Sequence, residues 1–257
     1  MLKYFDLTGE VAVVTGASQG LGERFAKGLA EAGADLFLIA RNEDNLKAVA
    51  ADIEKMGREC GYCAADITDE EAVNKAVAGA MARFGKLDIL INNAAASRDN
   101  RPPEDTTVES FNRVMNTNVT GAFICARAVG KEMIKRRKGK IVNIGSMSAM
   151  IINKGVHGGS YDISKSAVLG LTRALAMEWV GYNINVNCIC PGYFLTEPNI
   201  EFLKENPEFD SISKSMIPAG RWGNIEELIG GIIFLSSGSA NYMNGSSVVI
   251  DGGYTSW

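Results

Sequence analysis

The sequence predicts an α/β fold: a doubly wound domain in which helices cover both faces of a parallel sheet of about seven strands. Two observations support this prediction. Short apolar runs alternate with longer segments of helical periodicity along the whole chain. The runs are almost continuously apolar, which is typical of strands that are buried on both faces. The chain has 257 residues without a linker-like segment or an internal repeat, so we expect one domain, residues 1–257.

The elements follow from these patterns in chain order. The predicted strands share an apolar, often β-branched character and cover 11–15, 35–40, 59–65, 87–92, 140–144, 183–190 and 247–250. The predicted helices share a 3.6-residue apolar period, in three cases with a glycine at the C-terminal end, and cover 20–32, 43–56, 69–84, 108–137, 160–180 and 225–237. Residues 194–217 contain Pro198, Pro207 and mixed charge, so we expect an irregular lid at the carboxyl edge of the sheet.

Composition excludes several classes of function. The formal net charge of −4 argues against a general nucleic-acid binder. The sequence has no run of about 18 apolar residues and no apolar signal core, so we expect a cytoplasmic protein without a membrane span. With His157 as the single histidine, a His-rich zinc site is excluded. The cysteine pairs Cys60/Cys63 and Cys188/Cys190 lie in predicted strands, which favours small buried thiols over metal ligands, so no metal is expected.

A glycine-rich turn connects the first strand to the first helix. It runs from Thr15 to Gly22 with the spacing Gly-x-x-x-Gly-x-Gly. Glycines allow the backbone to turn tightly beside a pyrophosphate, and the free N–H groups of the helix N-terminus attract anions. The position of this turn predicts a dinucleotide site.

The end of the second strand bears on which dinucleotide is bound. An acidic residue there would bind the ribose 2′-hydroxyl of NAD. Here the strand ends in Ala40, Arg41 and Asn42, and Arg41 could pair with the 2′-phosphate of NADP. Gln19, where a second cation would strengthen this prediction, is neutral. We therefore expect NADP(H), with NAD(H) possible.

Tyr161 and Lys165 are four residues apart in a predicted helix, so their side chains share one face. Phenols titrate near pH 10, and a neighbouring ammonium favours the phenolate. Such a pair can move a proton to or from a substrate oxygen.

Taken together, the motifs resemble those of the short-chain dehydrogenase/reductase family over nearly the whole chain. Besides the glycine turn, the motifs that carry the resemblance are Asp66-Ile67 after the third strand, Asn92-Asn93-Ala94-Ala95 with Ala95 in place of the usual glycine, Asn118, Ser146, the Tyr161/Lys165 pair, and the segment from Pro191 to Thr196. The resemblance implies a Rossmann fold and hydride transfer between a nicotinamide and a carbinol or carbonyl carbon.

The resemblance also implies residue roles. Tyr161 is expected to be the acid or base, Lys165 to assist it and hold the nicotinamide ribose, Ser146 to bind the substrate oxygen, and Asn118 to hold a water connected to Lys165. Ser148 is a second candidate for the serine. The residues expected to contact the cofactor are Gly16, Ser18, Gln19, Gly20, Leu21, Gly22, Arg41, Asp66, Ile67, Asn93, Ala94, Ala95, Tyr161, Lys165, Pro191, Gly192, Phe194 and Thr196.

Substrate and partners are less closely defined. Residues 192–197 and 217–223 resemble the gluconate 5-dehydrogenase group of the family, which acts on sugar acids, and 251–255 resemble polyol and ketose reductases. Ser146 and Tyr161, with Asn153 and His157 in the lengthened loop before Tyr161, are the expected substrate contacts, and Arg98 and Lys154 are further candidates. The alternatives are a 3-oxoacyl reductase that docks an acyl carrier protein, for which the basic run 135–138 is the candidate docking surface, and a non-catalytic dinucleotide sensor. The resemblance also implies a homo-oligomer, a tetramer or dimer.

Overall fold

The computed structural model describes residues 2–97, 100–152 and 158–256. In these ranges seven strands form one parallel sheet with the order β3-β2-β1-β4-β5-β6-β7. The strands are β1 Val11–Thr15, β2 Asp35–Ala40, β3 Cys60–Ala64, β4 Ile89–Asn92, β5 Gly139–Ile144, β6 Ile184–Pro191 and β7 Ser247–Ile250. The predicted fold class is confirmed. Because the strand order reverses between β1 and β4, a crevice opens there at the carboxyl edge of the sheet.

Nine α-helices occur in the described ranges. They are α1 Gly20–Glu31, α2 Glu43–Lys55, α3 Glu70–Phe84, α4 Val108–Met115, α5 Ala122–Arg136, α6 Gly159–Trp179, α7 Glu197–Glu205, α8 Pro207–Met216 and α9 Glu226–Ser236.

Each face of the sheet has its own apolar core. Alternate residues of a strand point to opposite faces, so Val14 packs with α1, α2 and α9 whereas Val13 packs with α3, α5 and α6. Nearly continuous apolar strands are thus needed to fill both cores, which is the pattern that predicted the parallel sheet.

The helix predicted over 108–137 is interrupted in the structure. Between α4 and α5 the residues Asn116–Gly121 form a π-helical turn. A π-turn shifts the helical hydrogen-bond register by one residue and is frequent at functional sites. No proline or glycine pair signals it in the sequence, and the chain remains helical on both sides.

The prediction of an irregular segment over 194–217 is wrong, because most of it forms α7 and α8. Thr196 caps α7 by accepting from the backbone N–H of Asn199, at 3.4 Å. Pro198 lies in the first turn of α7, and Pro207 begins α8. Proline is well tolerated in the first turn of a helix, so these prolines mark helix starts.

A third apolar cluster holds this helical pair on the domain. Trp222 is buried and donates from Nε1 to Ser213 Oγ of α8 at 2.8 Å. Arg221 forms a bidentate pair with Glu227 of α9, at 2.7 Å for both contacts. The Arg221-Trp222 pair therefore joins α8 to α9. No helix in the described ranges has the length and apolarity needed to cross a bilayer.

Candidate active site

A cavity of about 870 Å³ opens at the carboxyl edge, where the ends of β1 to β4 meet. Ligand pockets typically measure about 300–1,000 Å³, so it can hold a dinucleotide-sized group. Its lining includes most of the residues predicted for the cofactor: Gly16, Ser18, Gln19, Gly20, Leu21, Arg41, Asp66, Ile67, Asn93, Ala94, Ala95 and Thr196.

The glycine-rich turn has the conformation that its spacing predicted. Gly16 and Gly20 have φ of 66° and 59°, in the left-handed region that favours glycine. A Cβ on Gly20 would meet no atom within 4 Å, so the backbone there is open to a ligand. A Cβ on Gly22 would lie 2.1 Å from the carbonyl oxygen of Gly16, so Gly22 allows the helix to pack under the turn. Gly20 is thus placed for ligand contact and Gly22 for packing.

Thr15 and Asn93 brace this turn against the end of β4. Thr15 Oγ1 accepts from the backbone N–H groups of Asn93 and Ala94, at 3.0 and 3.1 Å. The Asn93 side-chain amide donates to the carbonyl oxygens of Thr15 and Gly16, at 3.0 and 3.2 Å. Asn93 therefore shapes the cavity wall with its side chain, and Thr15 belongs to the same brace.

The part of the cavity that follows the ends of β2 and β3 carries both signs of charge. Asp66 accepts from the backbone N–H and hydroxyl of Thr68, at 2.9 and 2.8 Å, and these bonds, with Arg41 nearby, lower the pKa of the Asp66 carboxyl. Arg41 is exposed and makes no hydrogen bond or ion pair within the part of the chain that the structure describes. Its guanidinium can therefore turn toward a ligand in the cavity.

Lys165 contacts the carboxyl end of β5, which Ser146 follows, and Tyr161 lies beside Lys165 on α6. Lys165 is buried and donates from Nζ to the carbonyl oxygen of Ile144 at 2.7 Å. The same Nζ lies 5.6 Å from the centroid of the Tyr161 ring. Ser146 follows β5 directly, and its Oγ accepts from the backbone N–H of Ser148 at 3.1 Å. Ser148, the competing candidate, is 1% exposed against 8% for Ser146, so Ser146 is better placed to meet a substrate.

Asn118 lies in the π-turn and is connected to the cavity wall. Its Oδ1 accepts from the backbone N–H of Ala96 at 2.7 Å, and its Nδ2 donates to the Ala96 carbonyl oxygen at 3.2 Å. The second N–H of the amide is donated to Ser164 Oγ at 2.9 Å. Both amide donors are therefore used within the protein, so the amide could bind a water only through its oxygen.

The residues predicted at the end of β6 divide into two groups. Thr196 lines the cavity, whereas Phe194 is buried with its ring against Gly223 in the core on the α1 face. Gly192 is needed for packing, since a Cβ there would lie 2.6 Å from Asp251 Cα. Pro191 is the last residue of β6 and is also buried. The side chain of Phe194 therefore lies away from the cavity.

Several predicted substrate contacts lie outside the described residues: Arg98, Asn153, Lys154 and His157. Conversely, the cavity wall contains residues that the sequence did not single out, among them Arg113 of α4, Thr117 of the π-turn and Glu201 of α7. Arg113 and Thr117 are four residues apart on the side of the helical segment that faces the cavity. To identify Arg113 and Thr117 from the sequence, one would have to predict which face of this helical segment packs against α6 and which face is left for the cavity.

The basic run 135–138 is engaged within the protein. Arg136 pairs with the buried carboxylate of Asp88 at 2.8 Å. The other three cations also have partners: Lys135 contacts Glu132, Arg137 contacts the Gly181 carbonyl and the Tyr182 ring, and Lys138 contacts Glu10. The run therefore needs no external partner to account for its charge.

Comparison with known proteins places the chain in a family. The family model described as "Enoyl-(Acyl carrier protein) reductase" matches residues 16–255. Gluconate 5-dehydrogenase of Gluconobacter oxydans (strain 621H) is 39% identical over 251 residues, which cover 98% of this chain and 96% of that protein. Galactitol 2-dehydrogenase (L-tagatose-forming) of Cereibacter sphaeroides is 40% identical over 260 residues, which cover 98% of each.

Solved structures of dehydrogenases show the same similarity. The crystal structure of a gluconate 5-dehydrogenase from Burkholderia cenocepacia J2315, in complex with NADP and tartrate, superimposes with a TM-score of 0.94 at 35% identity. The match covers 100% of this chain and 99% of that one. The chain belongs to the short-chain dehydrogenase/reductase family and is an NAD(P)-dependent oxidoreductase of CH–OH groups.

Proposed function

We propose that the protein is an NADP(H)-dependent oxidoreductase that interconverts a secondary alcohol and a ketone on a sugar acid, polyol or ketose. The observation that carries this proposal is the position of Lys165. It donates to the carbonyl oxygen of Ile144 at the end of β5, two residues before Ser146, and its ammonium lies 5.6 Å from the centroid of the Tyr161 ring. The cavity of dinucleotide size lies at the same carboxyl edge of the sheet. The relatives named above act on gluconate and galactitol, which supports the substrate class.

The residues present fit a nicotinamide dinucleotide phosphate. The open backbone at Gly20 and the N-terminus of α1 suit a pyrophosphate, and Arg41 suits the 2′-phosphate of the adenosine ribose. A dinucleotide held by these residues would supply hydride transfer at C4 of its nicotinamide. Gly16, Ala94 and Ala95 line the cavity and would contact the bound dinucleotide.

The chain's own residues supply proton transfer and positioning. In reduction Tyr161 donates the proton to the substrate oxygen, and in oxidation it accepts that proton. Lys165 stabilises negative charge on the phenol oxygen and can contact the nicotinamide ribose. Ser146 hydrogen-bonds the substrate oxygen, where negative charge develops during reduction. Asn118 keeps the Ala96 segment in place, and a backbone carbonyl of the π-turn is available for a water that leads to Lys165.

The helical pair α7–α8 is proposed as the substrate lid, within residues 194–217. Its first turn carries Thr196, Glu197 and Pro198 on the cavity wall, while its far end packs on Trp222. This arrangement fixes one end of the lid and leaves the other beside the cofactor cavity. We also propose a homo-oligomer, which sedimentation velocity tests directly.

The acyl-carrier-protein alternative loses its sequence support in the structure. It relied on a free basic docking surface, and the cations of 135–138 have intramolecular partners. A 3-oxoacyl thioester therefore serves as the comparison substrate in the test.

The test is a panel of substrates, in which formation or consumption of NAD(P)H is measured by absorbance at 340 nm. Gluconate, galactitol and 2-dehydro-3-deoxygluconate with NADP or NAD, and the corresponding keto compounds and an acetoacetyl thioester with NADPH or NADH, cover the alternatives. We expect the highest kcat/KM for a sugar acid or polyol with NADP(H). Preference for the thioester would contradict the substrate class, and tight NADP binding without turnover of any compound would favour the dinucleotide sensor.

A further inference from the structure

Ser164 lies between Tyr161 and Lys165 in the sequence and is not one of the residues of the proposed catalytic group. Its side chain is fully buried, at 0% exposure. The hydroxyl has two partners: it donates to the carbonyl oxygen of Tyr161 at 2.7 Å and accepts from Asn118 Nδ2 at 2.9 Å. Ser164 therefore joins the π-turn to the turn of α6 that carries the Tyr161/Lys165 pair.

The direction of these hydrogen bonds is determined by the chain itself. The backbone N–H of Ala96 requires an acceptor, so Oδ1 of Asn118 must face it. The amide nitrogen then faces Ser164, whose oxygen accepts the bond. The serine proton is left with the Tyr161 carbonyl as its acceptor. The result is a one-way sequence of bonds from the wall of the cofactor cavity to the backbone of Tyr161.

The Tyr161 carbonyl has a second role in the same turn. In an α-helix the N–H of residue i+4 bonds to the carbonyl of residue i, so the Lys165 N–H shares this acceptor with Ser164. A change in the Ser164 bond thus acts on the turn that sets Tyr161 and Lys165 relative to each other.

Burial makes this link hard to replace. Asn118 is 3% exposed, so no bulk water is at hand if the serine hydroxyl is removed. The amide N–H would be left without an acceptor or would rotate, and rotation breaks its bonds to Ala96. A buried donor without a partner is costly, and this cost favours the single orientation that Ser164 now holds.

We propose that Ser164 is a positioning residue of the proposed active site, which holds the Asn118 amide in one orientation relative to Tyr161. The inference rests on the proposed function, since positioning has meaning only for a site that reacts. Ser164 itself touches neither substrate nor cofactor in this assignment.

A serine that bonds back to its own helix is common without any functional role. Thr172, two turns further along α6, provides a matched control for that explanation. It is also fully buried, donates to the Val168 carbonyl at 2.8 Å and accepts from the amide of Asn143 at 2.9 Å. Thr172 therefore makes the same two kinds of hydrogen bond as Ser164. The amide that donates to it is on Asn143 of β5, whereas the amide that donates to Ser164 is on Asn118 of the π-turn.

The experiment compares Ser164→Ala with Thr172→Val in steady-state kinetics, dinucleotide binding and thermal unfolding. We expect Ser164→Ala to lower kcat about tenfold or more, while the dinucleotide Kd changes by less than about twofold. Both variants should lower the melting temperature by similar amounts, because each loses one buried hydroxyl that makes two hydrogen bonds. Thr172→Val should nevertheless leave kcat within about twofold of wild type. Unchanged kcat in Ser164→Ala, or equal losses in both variants, would overturn the proposal.

A double-mutant cycle with Asn118→Ala isolates the link. If Ser164 acts through Asn118, adding Ser164→Ala to Asn118→Ala should cost less than about twofold further in kcat. If the two losses simply multiply, Ser164 acts by another route and the proposal is wrong.

A readout that needs no turnover separates this inference from the proposed function. The side-chain amide of Asn118, identified by its absence from the Asn118→Ala spectrum, should exchange its hydrogens slowly in the wild-type protein. In Ser164→Ala the exchange should be about tenfold faster or more, and in Thr172→Val unchanged. If no substrate is turned over, the function fails while this result still decides whether Ser164 holds Asn118; unchanged exchange in Ser164→Ala overturns the inference.

Discussion

A lysine lies at each end of β5, and the two have different surroundings: Lys140 is half-buried within the strand at its amino end, and Lys165 of α6 is buried at its carboxyl end. At the amino end, Lys140 donates to the side-chain oxygens of Asn185 and Asn241, at 2.8 and 2.7 Å. At the carboxyl end, Lys165 donates to one backbone carbonyl and lies against the Tyr161 ring. Lys140 is held by two side-chain amides of the fold, whereas Lys165 lies beside the phenol that we propose as the proton donor.

The surroundings of the two lysines continue this difference. At the amino end the buried carboxylate of Asp88 accepts from the backbone N–H of Val11 and pairs with Arg136 and Lys86, at 2.9, 2.8 and 3.4 Å. At the carboxyl end Arg41 and the open turn at Gly20 border the cavity. Charges at the amino end therefore stabilise the fold, and polar groups at the carboxyl end remain available to ligands. Substitutions at the two ends should separate stability from activity.

The largest expected effect is on turnover at the carboxyl end. Tyr161→Phe removes only the hydroxyl, so kcat should fall about a thousandfold because the proton donor is lost. Dinucleotide binding, measured by fluorescence titration, should change by less than about twofold, since the ring remains.

Tyr182→Phe is the matched control, because Tyr182 follows the far end of the same helix and its ring contacts Arg137. It should retain full activity. If Tyr161→Phe kept more than about a tenth of the wild-type kcat, Tyr161 could not be the proton donor.

The next effect belongs to the amino end and should change stability alone. Asp88→Ala leaves three cations near one another and removes the acceptor of Val11, so we expect a loss of about 3 kcal/mol in the free energy of unfolding. Glu71→Ala, which breaks the exposed i,i+4 pair with Lys75 on α3, should cost less than about 1 kcal/mol. Chemical denaturation measures both, and kcat per folded protein should be unchanged in both.

Acid should reveal the same carboxylate. Burial alone would raise the pKa of Asp88, but the bonds from Arg136 and Val11 and the charge of Lys86 outweigh it, so the pKa is lowered from its ordinary value of 3.8. A lowered folded-state pKa means that the stabilisation is present above about pH 4 and is lost as the pH falls through the folded value. The stability difference between wild type and Asp88→Ala should therefore shrink below about pH 4; a constant difference would assign the loss to packing.

A smaller effect is expected for cofactor choice. Arg41→Ala removes the cation proposed for the 2′-phosphate, so KM for NADPH should rise about tenfold, in line with the loss of a charge-assisted hydrogen bond. NADH lacks that phosphate and serves as the internal control, with a change of less than about twofold. Equal weakening of both cofactors would place Arg41 elsewhere in the cavity.

The sequence predicted the sheet well and the helical segments around the site less well, for identifiable reasons. Strands buried on both faces must be apolar throughout, so 11–15 and 35–40 were predicted with their observed bounds. The partly exposed edge strand 247–250 was also predicted with its observed bounds. The prolines at 198 and 207 were interpreted as breakers, although the first turn of a helix accepts proline. The π-turn that contains Asn118 depends on packing between helices, and no local pattern predicts it.

The candidate site shows the same limit. Motif spacing predicted which glycines and polar residues would meet at the carboxyl edge. It did not predict that the Asn93 amide would brace the glycine turn or that the Phe194 ring would enter the core. These outcomes depend on contacts between residues that are distant in the chain, such as Phe194 with Gly223. Contacts of this kind decide the direction of a side chain, which periodicity alone leaves open.

The smallest expected effect returns to the lysine at the amino end. Burial, which outweighs the attraction of Glu10, lowers the pKa of Lys140 to about 8. A lysine whose folded pKa is depressed binds fewer protons in the folded state than in the unfolded state above pH 8, so its contribution to stability rises with pH up to about 10. Lys140→Met cannot show this gain. The free energy of unfolding of the wild type, relative to Lys140→Met, should therefore increase by about 1–2 kcal/mol between pH 8 and pH 10. Lys131→Met, at an exposed position of α5, should show no such trend. If the two variants show the same pH dependence of stability, burial does not lower the pKa of Lys140.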